Sequence, residues 1–328
     1  MRRNAGSHDP GRRRVVAGAA AAAVLACLSG CGDPAPPLKV GTIVFPGYEF
    51  LFLAREWGLL PAREFRLIEL LSSSDNLRLM EEGRLDAVTC TLDEVMALRA
   101  RGQDLRIVAV LDVSEGADAV MARAGIGRPE QLRGRRIGAE DTAMGAVLFD
   151  AVLGAASLRV EDVIKVPITA DQSVAMFQSS LLDAVVTFEP WVSQLEALGA
   201  VRVYDSAQVP DRIVDVLAVR GEVIAKRPES VRQVVAAHFD AQARFRGAEQ
   251  NAASVLMSSR LQLAPQDVPS SFRGLRLPDP AANRDMLRPG GRFDQVARDL
   301  QKVLVERRLL DRMVPFESLS DSRFLPAA

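Results

Sequence analysis

Three cysteines and two histidines in 328 residues leave little material for redox, metal or imidazole chemistry. Cys27 and Cys31 fall at the head of the chain, so only Cys90 is left for the folded body and no internal disulfide can form there. Cys90 ends the apolar run Leu85-Asp86-Ala87-Val88-Thr89-Cys90, the setting of a small core residue and not of a nucleophile. His238 belongs to the helical stripe Val231, Val235, His238, Gln242, Phe245, which reads as a packed helix face. With no His/Cys cluster a zinc site is unsupported, and with no second positioned histidine so is a Ser-His-Asp triad. No catalytic residue, metal or cofactor is therefore assigned. After Leu28 no apolar run approaches the length of a membrane span. The chain carries a formal charge of -1; setting aside residues 1–30, with five Arg and one Asp, leaves about -5, which argues against a nucleic-acid partner.

The head of the chain is ordered as an export signal. Arg2, Arg3, Arg12, Arg13 and Arg14 precede the apolar stretch Val15 to Leu28, and Leu28-Ser29-Gly30-Cys31 closes it with small residues before a cysteine. Residues 1–30 read as a lipoprotein signal peptide, with Cys31 the lipidated first residue of the mature chain. Several acyl chains together give a stable membrane anchor. Arg12-Arg13 also permits a twin-arginine reading, although its surroundings fit Sec export better.

Residues 31–37, with Pro34, Pro36 and Pro37, read as a short stiff tether. From Leu38 onward, apolar runs of strand length alternate with segments of helical period: Leu38 to Val44 then Glu49 to Trp57, Phe65 to Leu71 then Asp75 to Glu82, Ala87 to Cys90 then Leu92 to Arg101, and Leu105 to Leu111. A second block repeats the pattern between Ala119 and Tyr204. A late apolar strand, Ile213 to Val219, reads as a return to the first block, and the chain is expected to be wholly helical from Pro228. The expectation is an α/β fold in two lobes, each a mostly parallel sheet flanked by helices. Lobe 1 is residues 38–115 and 208–328, and lobe 2 is residues 116–207. Two side-by-side crossings between them would form a hinge beside a cleft.

Several segments carry a family resemblance in their order and spacing: Val44-Phe45-Pro46-Gly47-Tyr48, Leu53-Ala54-Arg55-Glu56-Trp57-Gly58-Leu59, Gly83-Arg84-Leu85-Asp86-Ala87, Asp112-Val113-Ser114-Glu115-Gly116-Ala117-Asp118, Leu132-Arg133-Gly134-Arg135-Arg136-Ile137-Gly138 and Leu182-Asp183-Ala184-Val185-Val186-Thr187-Phe188-Glu189-Pro190. The chain resembles the periplasmic substrate-binding proteins of ABC importers in the nitrate/sulfonate/taurine group, together with the pyrimidine-precursor binders. That resemblance implies the type II periplasmic binding protein fold, a small-molecule ligand in the cleft, and delivery to an ABC permease and its ATPase. It implies an exported, lipid-anchored monomer at the periplasmic face of a membrane. An enzyme on the same fold, or a sensory binding protein without a permease, remains an alternative.

Helix starts after strand ends offer unpaired N–H groups that attract anions. Tyr48, Ser73, Ser74, Thr142 and Gly145 stand at such starts and are candidate donors, although capping alone accounts for the serines and threonine. Acidic residues cluster at the other strand ends: Asp93, Asp112, Asp118, Glu140, Asp141, Glu189 and Asp215. A bare small anion would be repelled there. Asp215, inside Ile213-Val214-Asp215-Val216-Leu217, needs a partner, which is either a ligand amine or one of the arginines. Resemblance to the taurine binders would give Glu189 or Asp215 to the amine, and Trp191 offers a flat wall or cation-π face. Thr91 and Ser114 complete the expected ligand set. The ligand is thus expected to bear an amine end, with or without an anionic end.

Overall fold

The computed structural model describes Met1, residues 35–306 and residues 308–327. The signal peptide, Cys31 and the tether up to Pro34 lie outside the described residues, and no helix among the described residues is long and apolar enough to cross a membrane.

In chain order the first block is β1 (Leu38–Ile43), α1 (Glu49–Glu56), β2 (Phe65–Leu70), α2 (Ser73–Glu81), β3 (Ala87–Thr91), α3 (Leu92–Ala100) and β4 (Leu105–Ser114). The second is β5 (Asp118–Ala122), β6 (Arg136–Ala139), α4 (Ala143–Ala155), β7 (Ile164–Pro167), α5 (Ser173–Gln178), β8 (Ala184–Phe188), α6 (Trp191–Ala197) and β9 (Val201–Asp205). The chain then returns through β10 (Val214–Arg220) to α7 (Gly221–Lys226), α8 (Pro228–Arg246), α9 (Gln250–Leu261), β11 (Leu275–Arg276), α10 (Pro280–Leu287) and α11 (Arg292–Glu306).

Two sheets result, one ordered β11-β4-β10-β3-β1-β2 and the other β7-β6-β8-β5-β9. Strands joined by helical crossovers pair in parallel: β1 with β2 and β3, and β6 with β7 and β8. The strands that carry the chain between sheets pair antiparallel with their neighbours: β10 with β3 and β4, and β5 with β8 and β9. Each sheet is therefore mixed, because a strand that leaves one sheet for the other and returns enters from the opposite end.

Alternation places one side of each strand in each apolar layer. Along β10, Val214, Val216 and Ala218 pack with α3 and α11, whereas Leu217 and Val219 pack with α1, α8 and α9. The region after Pro228 is not wholly helical: Leu275–Arg276 adds a two-residue edge strand to β4, and its brevity hides it from any periodicity. Helix α6 also escapes a sequence reading, since it is two turns long and follows Pro190.

Crossings at 115–117 and 206–213 join the lobes, and a buried serine pair ties them together. Ser114 Oγ and Ser206 Oγ lie 2.7 Å apart, Gly116 N–H donates to Ser206 Oγ at 2.7 Å, and Asp118 N–H donates to Ser114 Oγ at 3.2 Å. Beside them Glu115 N–H donates to Gly274 O at 2.7 Å. Gly274 adopts φ +84°, and a Cβ there would stand 2.7 Å from Ala117 N, so only glycine fits.

Candidate ligand-binding site

The centre of the larger sheet carries an unusual polar row. In register, Asp215 on β10 faces Thr91 on β3 and Asp112 on β4, so two carboxyls and a hydroxyl occupy adjacent strands. Asp112 is 0% exposed, Asp215 3% and Thr91 5%. Tyr48 ends the short 3-10 turn after β1 and donates its hydroxyl hydrogen to Asp215. Gly47 lets this turn approach, because a Cβ there would overlap the Asp112 carboxyl.

The first turn of α3 adds Asp93 and Glu94. Thr91 N–H donates to Glu94 Oε2 at 3.0 Å, the backbone half of a capping box, which leaves Glu94 Oε1 without a hydrogen-bond partner. Both oxygens of Asp93 and of Asp112 are likewise buried without a well-formed hydrogen bond among the described residues, the nearest groups being Thr91 and the first backbone N–H groups of α3 at Asp93 and the Asp215 carboxyl at Asp112. From the smaller sheet comes Asp118, in register with Phe188.

These groups surround a cavity of ≈ 20 Å³, room for about one water molecule. Its polar walls are Tyr48, Ser73, Thr91, Glu94, Asp118 and Asp215, and its apolar walls are Ile43, Phe45, Met144 and Phe188. Among the described residues, no lysine, arginine or histidine lines it.

Carboxyls removed from water without cations hold their protons more tightly. Burial is the leading cause at each, pushing Asp93 up to about 6, Asp118 to about 7, and Asp112 and Glu94 to about 8. Neighbouring carboxyls add to this at Glu94, Asp112 and Asp118. Asp215 is raised well above the carboxylate range by burial and then by Asp112 and Asp118, with the Tyr48 hydrogen bond opposing.

The two lobes meet around this cavity. Ser74 donates to Glu140 Oε1 from its backbone N–H at 2.8 Å and its hydroxyl at 2.7 Å. Phe45 and Phe188 make an edge-to-face ring contact at 5.7 Å across the same boundary.

Of the candidate residues, Tyr48, Ser73, Thr91, Asp118 and Asp215 line the cavity together, and Asp93 is buried beside it. The donors expected at the other helix starts are engaged within the protein. Ser74 serves Glu140, and Thr142 Oγ1 accepts from Gly145 N–H at 3.1 Å as an N-cap. Ser114 belongs to the crossing pair, and Glu189 accepts from Ser193 N–H at 3.2 Å and Ser193 Oγ at 3.0 Å. Asp215 takes a tyrosine hydroxyl as its partner, not an arginine. Glu94 is a wall that a sequence reading passes over, although the Thr91-x-x-Glu94 capping signature marks its position. Cys90, on β3, faces the apolar layer with Val88 and Leu92, and burial pushes its thiol well up.

Beside the cavity lies a groove of ≈ 580 Å³, and Ile43 and Phe188 line both spaces. Trp191 lines this groove. Among the described residues, no group of three or more His, Cys, Asp or Glu is arranged to hold a metal ion.

A family model described as the NMT1-like family matches residues 32–258. A Brucella abortus (strain 2308) protein with "binding protein" in its name is 27% identical over 135 residues, 40% of this chain and 42% of that protein. The match thus spans less than half the length of such curated relatives. Among solved structures, the alkanesulfonate-binding protein SsuA from Xanthomonas axonopodis pv. citri, bound to MOPS, superposes with a TM-score of 0.73 at 16% identity, covering 88% of this chain and 99% of that one. The desulfurization enzyme DSZB superposes with a TM-score of 0.62 at 21% identity, covering 88% and 97%. At these identities the likeness is one of fold, that of the two-lobe type II periplasmic binding proteins.

Proposed function

The chain belongs to the NMT1-like family, and from that premise we propose that it is an extracytoplasmic solute-binding protein whose ligand presents an amine to the carboxyl-lined cavity. One observation carries this reading: Glu94, Asp118 and Asp215 line the cavity, Asp112 and Asp93 stand behind them, and no cationic side chain joins them. A sulfonate or nitrate would bring negative charge among acids that already retain protons for want of a cation. An ammonium would supply the missing counter-charge and up to three hydrogen-bond donors for unpartnered carboxyl oxygens.

Binding works through the relation between lobes. A ligand touching Asp215 on one sheet and Asp118 on the other favours the joined arrangement by its differential affinity for it. Delivery to an ABC permease is supported by the family and by the binding-protein fold. Export and anchoring through Cys31 are supported by the signal-like head of the chain.

A binding role is favoured over catalysis because Cys90 points away from the cavity and His238 is packed among Phe50 and Phe239. Thermal unfolding with a panel of amines, aminosulfonates, sulfonates and nitrate tests the proposal. An amine at 100 times its Kd should stabilise the fold by about 2.7 kcal/mol. Stabilisation by sulfonates or nitrate, with none by amines, overturns the reading.

A further inference from the structure

The groove outside the cavity bears on what the rest of the ligand looks like. Its walls come from both lobes, and its apolar part is formed by Leu70, Leu71, Val174, Phe188 and Trp191. Leu71, on the groove wall, is 74% exposed. Three charged residues line the groove: Glu69, Asp171 and Arg260.

Arg260, the single cation of the groove, is fully occupied. Its guanidinium donates to both oxygens of the buried Glu49, with Nε to Oε2 at 2.9 Å and Nη2 to Oε1 at 3.1 Å, pairs with Glu69 through Nη1, and lies over the Phe52 ring. No positive charge is left there to receive a sulfonate or carboxylate. Two buried atoms of groove residues lack partners, the acceptor Asp171 Oδ1 and the neutral donor Gln194 Nε2, so the groove offers polar contacts to a ligand body without adding a free positive charge. The cavity is too small for more than a head group, and Ile43 and Phe188 line both spaces, which places the groove next to the cavity.

We infer that the ligand is an elongated organic monocation: an amine head in the carboxyl-lined cavity, a neutral and largely apolar body in the Trp191 groove, and no anionic end. This rests on the amine reading above and narrows it, setting aside compact zwitterions such as aminosulfonates.

The test is a calorimetric titration of the purified protein with ethylamine, n-hexylamine, 6-aminohexanoate and hexanesulfonate, which separate head, body and terminal charge. Hexylamine should bind at least about 10-fold more tightly than ethylamine and than 6-aminohexanoate. Leu71→Ser, at an exposed position that folding does not depend on, should weaken hexylamine several-fold and leave ethylamine unchanged. In Trp57→Phe, Trp191 is the one remaining tryptophan of the two in the chain, and its emission should shift with hexylamine and not with ethylamine. Equal affinity for ethylamine and hexylamine, or tighter binding of 6-aminohexanoate, overturns this inference while the amine reading stands. Binding of hexanesulfonate without either amine overturns both.

Discussion

The Tyr48 hydroxyl donates a hydrogen bond to the Asp215 carboxyl, and Asp112 faces Asp215 from the neighbouring strand. One phenol thus serves a pair of carboxyls buried without a cation, so their remaining charge is controlled by protons until a ligand brings its own. That arrangement has measurable consequences for the protein alone.

Stability should fall as pH rises from 6.5 to 8. Glu94, Asp112 and Asp118 are raised to about 8, 8 and 7, so the folded state keeps protons that the unfolded chain has already lost. A raised acid contributes fully below its unfolded value, about 4, and that contribution is lost progressively as pH climbs to its folded value. His238, lowered to about 3 by burial, works in the opposite sense, but its window closes near the ordinary histidine value. Above pH 6.5 the acids prevail, at roughly 1.4 kcal/mol per pH unit for each proton retained. Calorimetric melting at several pH values checks this, and a Tm that rises over the window contradicts it.

Asp112→Asn should separate stability from binding. Removing one buried ionisable group should stabilise the ligand-free protein at pH 7.5 by about 1–2 kcal/mol in urea unfolding. The same change should weaken binding of an amine by 10-fold or more. Loss of both stability and affinity would show that Asp112 is structural and not part of an electrostatic site.

Arg260 should be the more sensitive member of its pair. Glu49 is 0% exposed and its carboxyl is already raised by burial against the pull of Arg260. Arg260→Met strands that carboxyl and should cost about 3–5 kcal/mol, whereas the double variant with Glu49→Gln should recover much of the loss. A double-mutant cycle in denaturant measures the coupling, and additive losses would exclude it.

Ser206→Ala should loosen the crossings. It leaves Gly116 N–H buried without its acceptor and Ser114 Oγ without its partner, a loss of about 1–3 kcal/mol. Gly274→Ala should disturb the same place by pushing β11 from the crossing. Hydrogen exchange should quicken at Gly116 and Asp118 in both variants, and unchanged protection there would show that the serine pair is incidental.

Much of this architecture is legible in residue patterns, for reasons that also mark where legibility stops. The alternation of apolar runs with helical periods identifies β1 through α3 and β6 through β8, because these elements bury one regular face. Asp215 stands out as a carboxyl inside an apolar run, and it does face the cavity. Its partner Tyr48 lies 167 residues away, so their pairing depends on β1, β3 and β10 being neighbours, which no local pattern encodes. Ser74 and Thr142 look like free donors in sequence and are engaged in the fold by Glu140 and Gly145. Glu94 looks like a capping residue and is one through a single oxygen, while the other is left without a partner beside the cavity.

Asp112 and Asp215 lie near the ends of β4 and β10, where those strands run into the crossings, and Asp118 begins β5 just beyond one of them. On the proposed closure, points near a fulcrum sweep short arcs, so Asp112 and Asp215 would keep their spacing within one sheet while Asp118, across the crossing, is brought up to them. Ser74 and Glu140 stand on elements of different sheets, and on the proposed closure their bond is one that the swing would make and break. On that proposal, charge is recognised at the axle and closure is committed at the rim.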